Sequence, residues 1–181
     1  MTDITANPTL ASLPYLPYLD GAGNLNSDYQ GQVGVYAVFD ADKILQFIGY
    51  SRDVALSLKQ HFVRQSNKCY WLKVTTINRP SRSVLETIRA AWISENGTIP
   101  PGNNGGEAEW TEAIDVKPLM TPEEQQQYQQ ALGDPLAETK VLKNIARRVE
   151  ADIFAVLENR GLQEKLRFNP KLKEQGLLDL K

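Results

Sequence analysis

One histidine and one cysteine bound the chemistry open to this chain. His61 is the sole imidazole that can act as an acid or base near neutral pH, weighed against the plainer role of a structural histidine on a helix. A zinc site of cysteine and histidine ligands needs more than this pair. Cys69 has no second cysteine for an intramolecular disulfide, in keeping with a reducing compartment. It reads either as a small apolar residue at a strand start or as a thiol that pairs with a partner protein. The rest of the available chemistry is charge. From Lys43 to Trp92 nine basic residues (Lys43, Arg52, Lys59, Arg64, Lys68, Lys73, Arg79, Arg82 and Arg89) stand against Asp53 and Glu86, a net of +7. A stretch like this attracts phosphates or is simply a solvated surface. From Glu107 to Glu124 six acids face only Lys117, a net of −5. That acidic flank could cover the basic face.

The elements that must position these groups can be read from pattern. Two apolar runs, Val33 to Phe39 and Ile44 to Gly49, flank Asp40-Ala41-Asp42-Lys43 and read as a hairpin. Ser51 or Asp53 can cap a following helix, on which Val54, Leu58 and Phe62 recur every fourth residue. Cys69 to Ile77 is aromatic and β-branched, a third strand. Pro80-Ser81-Arg82-Ser83 starts a second helix with the stripe Val84, Leu85, Ile88, Trp92 and Ile93, and Asn96-Gly97 ends it. The order strand, strand, helix, strand, helix predicts an α+β fold with a small, mostly antiparallel three-stranded sheet and flanking helices.

Four segments follow. Residues 1–31 are a Pro-rich arm, and Pro14-Tyr15-Leu16-Pro17-Tyr18-Leu19 suits an extended segment laid against the domain, with a docking peptide as the other reading. Residues 32–103 are the sheet domain and 104–120 an acidic linker. Residues 121–181 are a helical extension. There Thr121-Pro122-Glu123-Glu124 opens a helix to about Leu132, and Asp134-Pro135 opens a long one to about Asn159 with Leu142, Ile145, Val149, Ile153 and Leu157 on one face. With 41% hydrophobic and 23% charged residues, and no apolar run near the roughly 18 to 20 residues of a membrane span, the expectation is a soluble protein without membrane insertion. Met1-Thr2-Asp3-Ile4 lacks a secretory or mitochondrial leader pattern, so a cytoplasmic location is expected.

Gly34-Val35-Tyr36 and Phe47-Ile48-Gly49, on adjacent strands ahead of the first helix, resemble the paired tripeptides of the GIY-YIG nuclease domain. Within that family the pattern is most similar to the N-terminal domain of chloroplast monothiol glutaredoxins and to a cyanobacterial stand-alone group. It shares Gly-Val-Tyr-Ala-Val, Gln46-Phe47-Ile48-Gly49, Cys69 and Pro100-Pro101-Gly102-Asn103 with them. No glutaredoxin-type Cys-Gly-Phe-Ser motif is present. The resemblance implies a phosphodiester site with one divalent metal, magnesium or manganese if active, in which metal and cation offset charge on the phosphorus oxygens. It places Tyr36 near the water nucleophile, and Phe47 where a second tyrosine hydroxyl would be. Ser57 stands where an arginine clamps the phosphate, which should weaken transition-state stabilisation by orders of magnitude. His61 matches a histidine of many members, and Asn103 the closing asparagine. Either Arg89 or, with the helix slid by three residues, Glu86 falls at the metal ligand.

Three functional readings follow. The foremost is a degenerate-site module with little or no catalysis that binds DNA or RNA through Arg52, Lys59, Arg64, Lys73 and Arg89. One alternative is an active metal-dependent endonuclease using Tyr36, His61, Glu86 and Asn103, with Arg52 or Arg64 as clamp. The other is a non-catalytic scaffold in a photosynthetic organism, meeting a protein partner through the N-terminal arm, the C-terminal helices or Cys69.

Overall fold

The computed structural model describes residues 7–181, so the reading of the first four residues as lacking a leader lies outside it. Its N-terminal arm forms a short strand, β1 (Leu16–Pro17). The hairpin follows as β2 (Gly34–Phe39) and β3 (Leu45–Ser51), then helix α1 (Val54–Arg64), strand β4 (Trp71–Thr76) and helix α2 (Arg82–Asn96). The sheet is antiparallel, in the order β1-β4-β2-β3. The α+β architecture read from the sequence is therefore present, with four strands rather than three. The fourth comes from the arm, and its Pro17 is tolerated because an edge strand can do without one backbone donor.

All six residues of β2 are buried, as a strand covered on both faces requires. Alternation along the strand sends Val35, Ala37 and Phe39 into a cluster with Leu85, Ile88 and Trp92 of α2. It sends Tyr36 the other way, where its hydroxyl meets His61 of α1. The two helices thus cover opposite faces of one sheet. Val84, expected in the α2 stripe, stands exposed, because the buried arc is Leu85, Ile88 and Trp92.

Local chemistry fixes the ends. The Asp53 carboxylate accepts from Leu56 N at 3.1 Å at the start of α1. Ser81 caps α2, and Gly97 closes it in a left-handed conformation, φ 81°. Between β2 and β3 the register steps past Gln46, a bulge, so Val38 pairs with Phe47 and Phe39 with Leu45. The arm is anchored to the domain by side chains. Glu95 accepts from Leu10 N and Ala11 N at 2.7 Å each, Lys73 donates to the Leu10 carbonyl at 3.0 Å, and the Trp92 indole donates to the Pro8 carbonyl at 3.0 Å.

A short helix, α3 (Glu107–Thr111), follows the loop after α2. The chain divides into two compact units after Trp110. The second unit holds β5 (Ile114–Asp115), α4 (Pro122–Ala131), α5 (Pro135–Asn159), α6 (Pro170–Lys173) and β6 (Leu177–Leu178), with β5 and β6 paired. Thr121 and Glu124 form a capping box on α4. Arg148 of α5 joins the two long helices, bonding Glu124 at 2.6 and 2.9 Å and the Leu119 carbonyl at 2.8 Å. Among the described residues no helix is long and apolar enough to cross a membrane.

Candidate functional site

Tyr36 leaves β2 toward α1, and His61 comes up from the last turns of α1 to meet it. The Tyr36 hydroxyl lies 2.7 Å from His61 Nε2, and His61 Nδ1 lies 2.9 Å from the Trp110 carbonyl oxygen. A carbonyl can only accept, so Nδ1 carries the proton and Nε2 accepts from the phenol. Burial pushes the His61 imidazole down to about 3, and the nearby Arg64 charge pushes the same way against the Trp110 carbonyl. Burial also raises the Tyr36 phenol well above its usual range, opposed by Ser57 and Arg64. Both groups are neutral at physiological pH.

What covers the pair is Trp110, a residue the sequence reading leaves inside an acidic linker. Its ring stacks on Phe47 at 4.8 Å between centroids and 7° between planes, and it meets His61 edge-on at 5.4 Å. Tyr36, Phe47, His61 and Trp110 are 3%, 4%, 2% and 1% exposed, so the four side chains form one buried unit. Two glycines make the packing possible. A Cβ on Gly49 would sit 2.6 Å from the Tyr36 hydroxyl, and one on Gly102 would sit 2.5 Å from Trp110 Nε1 and 2.8 Å from the Gln46 carbonyl. Asn103 closes the same loop. It accepts from Ile48 N at 2.7 Å and donates to Ile48 O at 2.8 Å, standing in for a neighbouring strand on the outer edge of β3.

Ser57 is half-buried in the first turn of α1. Its hydroxyl donates to Ser51 Oγ at 2.8 Å, and Ser51 in turn donates to the Asp53 carbonyl at 2.9 Å, a hydroxyl chain at the junction of β3 and α1. Arg64 places Nη1 on the Trp110 carbonyl at 2.7 Å. Its guanidinium therefore holds α3 down.

Glu86 and Arg89 lie on the opposite face of the sheet, with α2. Tyr50 donates to Glu86 Oε1 at 3.1 Å, Arg82 Nε donates to the same oxygen at 2.8 Å, and the Arg89 guanidinium stacks on the Tyr50 ring at 5.1 Å. Hydrogen bonds from Arg82 first and Tyr50 second hold the Glu86 carboxyl below its usual range. Among the described residues no three His, Cys, Asp or Glu side chains converge as a metal site would require. Glu86 is a single carboxylate engaged by a guanidinium and a phenol.

The sequence-assigned basic residues are likewise dispersed. Lys73 is buried, with Nζ on the Leu10 carbonyl and over the Tyr15 ring at 4.2 Å, serving the arm. Lys59 is half-buried on α1. Arg52 is exposed and forms no ion pair among the described residues. It borders a groove of about 390 Å³ lined by Tyr50, Ser51, Arg52, Pro80, Ser81 and Arg82 above Val33 and Leu85. Sequence reading assigned neither Tyr50 nor Arg82 to a site. Their one signal is position, since both fall next to segments that the tripeptide pattern and the helix start single out.

No family model matches the chain. A stretch of 77 residues, 40% of the chain, is 39% identical to a protein of Arabidopsis thaliana described as bifunctional monothiol glutaredoxin-S16, chloroplastic. That stretch spans 26% of the relative's length. The chain is thus a partial relative of a chloroplast monothiol glutaredoxin, the class of protein whose N-terminal domain its tripeptides resemble.

Proposed function

We propose that this chain is a nucleic-acid-binding module on a GIY-YIG-like fold, with the hydrolytic position closed and the binding surface at the groove between the end of β3 and the start of α2. The observation that supports the loss of hydrolysis is the burial of Tyr36, Phe47, His61 and Trp110 as one packed unit, each no more than 4% exposed. An attacking water, an in-line phosphate and a metal all need that volume. Support for binding comes from Arg52 and Arg82, exposed at the rim of the Tyr50 groove, since guanidinium groups match phosphate oxygens in geometry and charge. The test is fluorescence anisotropy with labelled DNA and RNA at about 50 mM salt, together with strand integrity in magnesium or manganese. Binding that falls several-fold in an Arg52→Ala, Arg82→Ala variant, with strands left intact, is the expected result. Absence of binding at low salt, or cleavage lost in Tyr36→Phe, contradicts the reading.

A protein-partner role has one observation in its favour. Leu132 and Leu136, at the turn between α4 and α5, are 57% and 84% exposed, more than a solvated helix turn needs. Recovery from the native cell of a stoichiometric protein partner that survives nuclease treatment would favour this role over nucleic-acid binding.

A further inference from the structure

We infer that the groove beside Tyr50 takes an unpaired strand, one nucleotide at a time, rather than the backbone of a duplex; this rests on the nucleic-acid-binding reading above. Two kinds of surface meet there. The lining carries Arg52 and Arg82, whose side chain is 82% exposed, together with Ser51 and Ser81. The same lining has an apolar side, Val33, Pro80 and Leu85, of which Leu85 is buried and Pro80 exposed. The acids nearby do not oppose an anion freely. Asp53 caps α1 through Leu56 N, and Glu86 accepts from Tyr50 and is ion-paired through Arg82 Nε, so among the described residues Arg52 carries the unpaired cation of the rim and Arg82 adds guanidinium donors.

A duplex presents sugars and phosphates outward and keeps its bases stacked inside, so its backbone would reach the arginines and leave the apolar wall unused. An unpaired nucleotide can turn its base out onto such a wall while its phosphate stays at the rim, the division of labour that single-strand sites use. The groove volume of about 390 Å³ lies toward the small end of ligand sites. Arg89 stacked on the Tyr50 ring, and Arg82 paired with Glu86, hold Tyr50 and Arg82 in place before any strand arrives.

The experiment compares a single-stranded oligonucleotide with the duplex of the same sequence at one salt concentration, with a nucleoside 5′-monophosphate and inorganic phosphate as competitors. The single strand is expected to bind about tenfold more tightly. The mononucleotide should compete where phosphate at equal concentration does not, and Pro80→Ser, at an exposed position, should narrow the gap between strand and duplex. Equal or tighter binding of the duplex, or equal competition by phosphate, overturns this inference and leaves the binding reading standing. No binding of either form overturns both. A thermal melt of Pro80→Ser confirms that its fold is kept.

Discussion

At the scale of single residues, His61 gives the clearest signature. Its imidazole is held neutral in the fold, at about 3, whereas an unfolded chain leaves it near 6.5. Between those values the unfolded state binds a proton that the native state refuses, so stability falls as pH drops from about 6.5 toward 3. The slope attributable to this one group reaches about 1.4 kcal/mol per pH unit. Urea unfolding of the parent and of His61→Gln across pH 7.5 to 4.5 should show the parent losing stability more steeply over that window. Gly102 gives a second test. A methyl group there collides with Trp110 Nε1 and the Gln46 carbonyl, so Gly102→Ala should cost about 1–3 kcal/mol and redden the tryptophan emission as the stacked pair loosens. Tyr36, Phe47, His61 and Asn103 are readable from sequence because they sit at fixed offsets within one local pattern. Trp110 is not. A single large apolar residue between Glu109 and Glu112 gives no periodicity, and only the three-dimensional course of the chain brings it onto Phe47.

The arm and the sheet set the behaviour at the scale of elements. The arm was expected to lie on the domain, but its pairing with β4 depends on contacts distant in sequence, from Leu10 to Glu95 and from Leu10 to Lys73, which pattern cannot show. Removing the Glu95 carboxylate leaves two backbone N–H groups without their acceptor, so Glu95→Ala should lower stability by about 1–3 kcal/mol. Hydrogen exchange at Leu16 and Tyr18 should rise in the same variant while the β2–β3 ladder keeps its protection. The helices were the most legible elements, since Asp53, Ser81, Thr121 and Asp134 each cap where a start was read. The separation of the site residues follows from the same physics in reverse. Alternation in β2 and β3 puts Tyr36 and Phe47 under α1 and Ile48 and Tyr50 under α2, and so Glu86 and Arg89 join Tyr50 on the far face.

At the scale of the molecule, charge is balanced more finely than the basic centre suggests. Residues 1–110 carry nine Lys and Arg against ten Asp and Glu, so the unit bearing the groove has a net charge of −1 from its side chains with His61 neutral. Long-range steering is weak on this account, and attraction for phosphates is confined to the groove. If Arg52 and Arg82 each neutralise one phosphate of a single strand, log K should fall with log salt with a slope of about −1.4. A slope several times steeper would require a broad basic face that these residues do not form. The central claim is a groove that binds while the Tyr36–His61 position stays closed, and one measurement reaches it most directly: an end-labelled single strand incubated with the protein and manganese at low salt, with complex and strand length read on paired native and denaturing gels. The account expects a complex that weakens in Arg52→Ala, Arg82→Ala and a strand of unchanged length. Shortened strands that disappear in Tyr36→Phe, or no complex at all, would contradict it.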